Sequence, residues 1–306
     1  MTLLFLVLTG FIPMTGNPPG LNYGTAPELT DYASGIPVIT YHQITLHKSA
    51  YSATPAKLRD DLQRLYDAGF FLILPTDIED GLGRVPFDRR PIMITFDDGW
   101  EDNFRYIDMP GGEQRIDPDC AVAIVNTFIE EHPDFGRGVV FFISWDKIPF
   151  GNHTEEKLNA VLDMGHCIGN HSEDHLAFAK IPPSRYWEQV IPALNSFQRR
   201  LGLRTSGINV FAYPGGQIPR GVNAEGTIAS MEFQGRPAVI QGYLVDGAVG
   251  SLKRVYEGNE FRISRIDMAL YTVPRLLNWS NIMVESNARP SLHDDLPWRP
   301  TYIHSD

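Results

Sequence analysis

Two pairs of side chains in this sequence are of types that could hold a metal ion. Asp97 and Asp98 are adjacent, and because side chains alternate along an extended backbone, one carboxylate could bind a metal while the other faces a substrate. His171 and His175 are four residues apart, a spacing that predicts both imidazoles on one face of a helical turn. Asp98 and the two histidines would form a ligand set with open positions, suited to zinc or another first-row metal.

Each of these signals is weak when it is taken alone. An Asp-Asp-Gly segment is also typical of a surface turn, and histidine pairs at this spacing are common by chance. Two further polar segments follow apolar runs. Residues 211–216 end in Pro-Gly-Gly, which could be a plain turn or could aim a backbone N–H at an oxyanion, and His42 could be an ordinary rim histidine.

Short apolar runs alternate with amphipathic stretches from residue 36 onward, which predicts parallel strands separated by helices. The predicted strands are 37–41, 70–74, 91–96, 138–144, 167–170 and 210–213. Each polar cluster follows one of these strands, and the carboxyl ends of parallel strands meet on one face. The pattern fits an open doubly wound sheet or a barrel, and periodicity does not choose between them.

Four helices are predicted between the strands, over residues 54–69, 117–129, 154–165 and 184–201. Thr54 is expected to cap the first helix and Asp117 the second. Pro192 lies inside the fourth helix and is expected to kink or break it, because proline has no N–H to donate.

Composition and charge narrow the class of protein. A chain of 306 residues with 43% hydrophobic content can form one large domain or two small ones. The net charge of −11 argues against nucleic acid or an anionic membrane as the main partner, since both require a basic face. Cys120 and Cys167 are expected to be buried free thiols.

The clusters together resemble the polysaccharide deacetylases of carbohydrate esterase family 4, which share the NodB homology domain. Thr95-Phe96-Asp97-Asp98-Gly99 resembles the first motif of that family, and His171-Ser172-Glu173-Asp174-His175 resembles the second. Residues 211–216 are similar to the third motif, 138–143 to the strand between the first two, and 261–266 to a common last strand. The resemblance extends from about residue 36 to about residue 267, and it implies an α/β fold, a distorted (β/α) barrel.

The resemblance also implies a role for each matching residue. Asp97 would be the general base, and Asp98, His171 and His175 would bind one divalent cation. Zinc is the expected metal, with cobalt and nickel as alternatives. The backbone N–H of Gly215 would donate to the oxyanion.

Two family features are missing from the positions where they are usual. The third motif normally carries an arginine, and Ala212 or Phe211 stands nearest to that position, which leaves open what orients and charge-balances Asp97. The Leu-x-His segment that carries the general acid is not visible downstream. However, residues 39–42 are similar to the N-terminal Tyr-His segment of circularly permuted members that act on poly-N-acetylglucosamine, so His42 is the expected general acid.

The expected function is metal-dependent hydrolysis of N-acetyl groups from an N-acetylglucosamine-containing polysaccharide, with release of acetate. The alternatives are an O-acetyl esterase acting on a xylan-like polymer, a hydrolase of small cyclic amides, and a carbohydrate-binding protein that has lost catalysis. Trp100, Trp145 and Trp187 are candidates to line a sugar-binding groove.

The expected domain organisation follows from these assignments. Residues 1–16 are a candidate signal peptide, 17–33 a linker, 34–270 the deacetylase domain and 271–306 a C-terminal extension. A signal peptide would make the protein secreted, periplasmic or attached to the cell surface. The expected partner is an acetylated polysaccharide or oligosaccharide, with no nucleic acid and no membrane span.

Overall fold

The computed structural model of the protein describes residues 36–86, 88–246 and 260–278. The strands are β1 (Val38–Tyr41), β2 (Gln43–Ile44), β3 (Ser52–Ala53), β4 (Phe70–Leu72), β5 (Arg90–Phe96), β6 (Tyr106–Asp108), β7 (Gln114–Ile116), β8 (Val140–Ile143), β9 (Cys167–Asn170), β10 (Val210–Ala212), β11 (Glu232–Phe233), β12 (Arg236–Pro237), β13 (Gln241–Tyr243) and β14 (Ile266–Asp267). The α-helices are α1 (Pro55–Asp67), α2 (Pro75–Glu79), α3 (Ala121–Glu131), α4 (Thr154–Asp163), α5 (Trp187–Leu201) and α6 (Ala224–Ala229).

Eight parallel strands form the central sheet, which curls into a distorted barrel. The order is β13-β10-β9-β8-β5-β1-β14, and β4 pairs with the beginning of β5. The segment that contains β14 also closes the barrel: the Ile263 N–H donates to the Gly242 carbonyl of β13 at 2.8 Å, and Ile266 pairs with Ile39 of β1. The expected distorted (β/α) barrel is therefore confirmed.

The six predicted strands are all present, within two residues at each end. They are mostly apolar and, apart from the first residues of β5 and β9, buried, because helices cover the outside of the barrel and side chains fill the inside. The pattern did not predict β13, whose sequence Gln-Gly-Tyr has no apolar run.

The four predicted helices are also present, with one start displaced. Thr54 caps α1 as predicted, because its hydroxyl accepts a hydrogen bond from the Lys57 N–H at 3.1 Å. Asp117 does not cap α3, which begins at Ala121. The Asp117 carboxylate instead accepts from the Asp119 N–H at 2.9 Å, so it stabilises the turn that precedes the helix.

Of the two expected effects of Pro192, a kink or a break, the break does not occur, since α5 continues through the proline. Two carbonyl groups just before the proline find partners outside the helix. The Gln189 carbonyl accepts from the Glu173 N–H at 2.9 Å, and the Val190 carbonyl accepts from the Asn170 side chain at 3.1 Å. These contacts tie α5 to the loop after β9 and satisfy carbonyl groups of the turn that holds the proline.

Neither cysteine forms a disulfide, as predicted: Cys120 is buried and Cys167 is half-buried. None of the helices that the structure describes is both long and apolar enough to cross a membrane. The candidate signal peptide and linker, and all but residues 271–278 of the C-terminal extension, lie outside the described residues.

Candidate metal centre and active site

Asp97 and Asp98 lie where β5 ends, at the carboxyl-terminal face of the barrel. Asp97 still belongs to the strand ladder, because its N–H donates to the Tyr41 carbonyl at 2.9 Å. Asp98 and Gly99 have φ angles of +74° and +71°, so the chain turns sharply directly after Asp97. A Cβ on Gly99 would lie 2.9 Å from Ile143, so this turn requires glycine for space as well as for backbone conformation.

Asp98, His171 and His175 face one another as a potential ligand set. The Asp98 Oδ1 atom lies 3.3 Å from His171 Nε2 and 3.0 Å from His175 Nε2. One ligand atom from each residue lies within 4.8 Å of the other two. The His171 Nδ1 atom is 2.7 Å from the Ala212 carbonyl, which fixes the ring so that Nε2 points toward Asp98.

The prediction that the two histidines share a helical turn is wrong. Residues 171–175 form an irregular loop in which Ser172 and His175 have φ angles of +78° and +53°. The loop is held by side chains: Asn170 accepts from the Ser172 N–H at 2.8 Å, and the Ser172 hydroxyl accepts from the His175 N–H at 3.0 Å. The histidines therefore converge through loop geometry rather than helical spacing.

These three residues fit a divalent cation. Asp98 Oδ1 is buried and makes no hydrogen bond to any described residue, although both imidazole nitrogens lie within 3.3 Å of it. The three ligand atoms lie close enough to one another to share one cation. Two imidazoles and one carboxylate leave coordination positions open, the composition of catalytic zinc sites.

Trp100 supports the ligand set from outside. Its indole N–H donates to Asp98 Oδ2 at 2.8 Å, and the Lys147 ammonium lies 4.8 Å from the centre of the indole ring. Partners of this kind hold a metal ligand in its binding orientation.

We expect Trp100→Phe to lower the affinity for zinc about tenfold, because the Asp98 carboxylate loses the donor that orients it. Calorimetric titration of the metal-free protein with zinc measures the change. Trp187→Phe is the matched control, since Trp187 is 55% exposed and does not line the cavity. Equal zinc affinity in both variants would contradict the role of Trp100.

Asp97 forms a buried ion pair with Arg265, which lies on the segment that closes the barrel. The two guanidinium nitrogens donate to the two carboxylate oxygens at 2.6 and 2.7 Å. Arg265 is fully buried and donates also to the Leu244 carbonyl and to the hydroxyls of Thr40 and Thr95, at 3.0 to 3.3 Å. Burial by itself would raise the pKa of Asp97, but Arg265, helped by His171 and His42, outweighs burial and lowers it.

The absence of an arginine from the third motif left open which residue orients and charge-balances Asp97, and Arg265 is that residue. The positions nearest to the usual arginine, Phe211 and Ala212, lie on β10 and carry no charge. Arg265 supplies the charge from the segment just before β14, far away in sequence. Residues 261–266 resemble a common last strand of the family, and a charged residue inside that segment is the signal that the sequence offers.

His42 follows β1 and faces Asp97 across the cavity. Its Nε2 atom lies 3.9 Å from Asp97 Oδ2, and its Nδ1 atom lies 3.9 Å from Asp267 Oδ2. Both distances exceed a direct hydrogen bond. The Asn103 side chain donates to the His42 carbonyl at 2.8 Å and so holds the backbone. The pattern analysis did not predict Asp267, which lies on the short strand β14.

Gly215 lies in the turn after β10, with φ +74° and ψ 6°. The turn is closed by a hydrogen bond from the Gly216 N–H to the Tyr213 carbonyl at 2.8 Å. The turn is packed tightly on one side, since a Cβ on Gly216 would lie 2.6 Å from Val245.

All six predicted site residues line a single cavity of about 540 Å³. They share its wall with Gln43, Tyr51, Trp100, Gly216, Val245, Asp246, Asp267, Leu270 and Tyr271. Of the three candidate groove tryptophans, only Trp100 lines this cavity. Trp145 packs against Phe197 instead, with ring centres 5.0 Å apart.

Comparison with known proteins agrees with this geometry. Residues 84–233 match the sequence profile of a family described as polysaccharide deacetylase. No curated protein gives a significant sequence match. The matched region contains Asp97, Asp98, both histidines and Gly215, whereas His42 and Arg265 lie outside it.

Solved structures of deacetylases share the fold. A Streptococcus pyogenes deacetylase in complex with acetate has a TM-score of 0.57 and 14% identity, over 80% of this chain and 97% of that one. IcaB from Ammonifex degensii has a TM-score of 0.56 and 17% identity, over 80% and 97%. A de-N-acetylase from Aggregatibacter actinomycetemcomitans has a TM-score of 0.54 and 13% identity, over 80% and 99%.

Proposed function

We propose that this chain, a member of the polysaccharide deacetylase family and therefore a hydrolase, removes N-acetyl groups from an N-acetylglucosamine-containing polysaccharide and releases acetate. The observation that carries the proposal is the arrangement of one ligand set and two further titratable groups in one cavity. The name of the Aggregatibacter structure, a de-N-acetylase, supports the choice of N-acetyl groups.

The ligand set in this proposal is Asp98, His171 and His175, with zinc as the metal and cobalt or nickel as alternatives. A divalent cation in such a site supplies Lewis-acid chemistry, which polarises an acyl carbonyl and lowers the pKa of water. The two histidines would hold the cation through Nε2, since both Nε2 atoms lie next to Asp98 Oδ1 and His171 uses Nδ1 to contact the Ala212 carbonyl.

Asp97 is the general base in this proposal. Arg265 keeps the Asp97 carboxylate ionised and fixes its orientation through both oxygens. Asp97 can then take a proton from the attacking water. His42, 3.9 Å from Asp97, protonates the departing sugar nitrogen, and the Asp267 carboxylate lies 3.9 Å from its Nδ1 atom. The Gly215 N–H donates to the oxyanion.

Acetate release from N-acetylglucosamine oligomers tests the function. We expect the purified protein to release acetate, to lose this activity after treatment with a chelator, and to regain it when zinc is added back. Activity that persists after complete removal of metal would contradict the proposed mechanism. Release of acetate from acetylated xylan, but not from N-acetylglucosamine oligomers, would instead favour the O-acetyl esterase.

The carbohydrate-binding alternative loses its main support. It rested on the absence of the arginine from the third motif, and Arg265 provides the corresponding charge next to Asp97. The proposed location outside the cell, whether secreted, periplasmic or on the cell surface, rests on the sequence of residues 1–16, which lie outside the described residues.

A further inference from the structure

Tyr51 places an exposed aromatic ring in the wall of the cavity, next to the proposed general acid. The side chain is 60% exposed, although tyrosine usually buries most of its ring. Its ring centre lies 5.4 Å from that of His42, and both rings line the cavity. An exposed aromatic at this place gains contact area only when a ligand enters.

The backbone fixes Tyr51 at this position. The strands β2 and β3 pair in parallel with Gln43 opposite Ser52, so Tyr51 comes opposite His42. The Gln43 N–H donates to the Tyr51 carbonyl at 3.3 Å, and the Tyr51 N–H donates to the Ser49 hydroxyl at 3.2 Å. The ring is therefore carried by a strand pair that is anchored directly after His42.

The chemistry determines what must lie against this ring. A general acid has to reach the leaving nitrogen within hydrogen-bonding distance, so the sugar that bears that nitrogen must lie next to His42. Trp100 also lines the cavity, but its indole N–H is bound to the proposed metal ligand Asp98. Of the aromatic residues that line the cavity, Tyr51 is the one whose ring centre is placed 5.4 Å from that of His42.

We propose that Tyr51 is the platform for the pyranose ring whose acetamido group is hydrolysed, and that it favours carbohydrate over small amide or ester substrates. The inference rests on the proposed function. The flat ring covers the C–H face of a pyranose, the usual way in which a pocket combines apolar area with a few polar contacts. Because the ring contacts the sugar equally before and during reaction, it should act on KM rather than on kcat.

Steady-state kinetics on an N-acetylglucosamine tetramer test the platform. We expect Tyr51→Ala to raise KM about tenfold while kcat changes less than about twofold. Tyr51→Phe retains the ring and should raise KM less than Tyr51→Ala does. Leu46→Ala is the matched control, since Leu46 belongs to the same loop, is 82% exposed and does not line the cavity.

Zinc titration of the same variants separates a binding role from a structural one. Tyr51→Ala should bind zinc as the wild type does, because Tyr51 does not contact Asp98, His171 or His175. A KM unchanged by Tyr51→Ala, an equal loss in Tyr51→Phe, or a loss confined to kcat would overturn the platform. A wild-type protein that does not deacetylate the tetramer would instead overturn the proposed function, and this inference with it.

Discussion

Replacing Asp97 with asparagine is expected to lower kcat for acetate release about 10³-fold while the affinity for zinc stays within about twofold of wild type. The asparagine amide cannot accept a proton from water, whereas Asp97 is held as a carboxylate by the two hydrogen bonds from Arg265. Zinc binding should persist because the proposed ligand atoms come from Asp98, His171 and His175. Acetate release and calorimetric zinc titration measure the two quantities.

A control is needed because Asp97→Asn also removes the charge partner of a fully buried arginine. Circular dichroism at the assay temperature establishes that the variant is folded before its rate is compared. Asp60→Asn is the matched substitution, since Asp60 is an exposed aspartate that pairs with Arg64 on the outside of α1. A folded Asp97→Asn protein with a kcat within tenfold of wild type would rule out Asp97 as the general base.

Replacing Arg265 with methionine is expected to lower the free energy of unfolding by about 3 to 5 kcal/mol. The substitution leaves Asp97 buried without its cation, in a place where the hydroxyls of Thr40 and Thr95 also lose a donor. Urea denaturation, followed by circular dichroism, measures the loss. The kcat should fall as well, because burial then raises the pKa of Asp97 and the carboxylate loses its fixed orientation.

The double variant Asp97→Asn/Arg265→Met distinguishes an ion pair from simple packing. If the loss in Arg265→Met comes from the unpaired carboxylate, removing that charge should restore about half of the lost stability or more, without restoring activity. Losses that add in the double variant would show that the two side chains contribute independently, and would contradict the pairing as the source of the stability.

The proposed ligands and Asp97 were accessible from sequence because each cluster comes at the end of a predicted strand. A strand such as β5, buried over six of its seven residues, is recognisable in the sequence as an apolar run. The polar residues after it are then expected at the carboxyl-terminal face of the barrel. His171 and His175 were correctly predicted to lie close together, but the reason given for it, helical spacing, is wrong. Their convergence depends on hydrogen bonds that the Asn170 and Ser172 side chains accept from backbone N–H groups of the loop, which no periodicity predicts.

Arg265 and Asp267 could not be predicted in the same way. Their segment is short, with β14 only two residues long, and its neighbours in the sheet are remote in sequence. Tertiary contacts place Arg265 inside the barrel. Four different residues accept its hydrogen bonds, and none of them is closer than 21 positions along the chain. Local pattern carries no information about contacts of that range.

The segment that closes the barrel, β14 and the residues just before it, determines when the proposed catalytic centre can form during synthesis. The contacts of Arg265 with Thr40 and Asp97 span 225 and 168 residues, and contacts of such range form late in folding. A nascent chain that has left the ribosome only as far as β13 already contains all three proposed zinc ligands, Asp97 and His42. It lacks the guanidinium that holds the proposed general base and the carboxylate beside the proposed general acid. The chain therefore gains its hydrolytic chemistry only when the last strand has docked between β13 and β1.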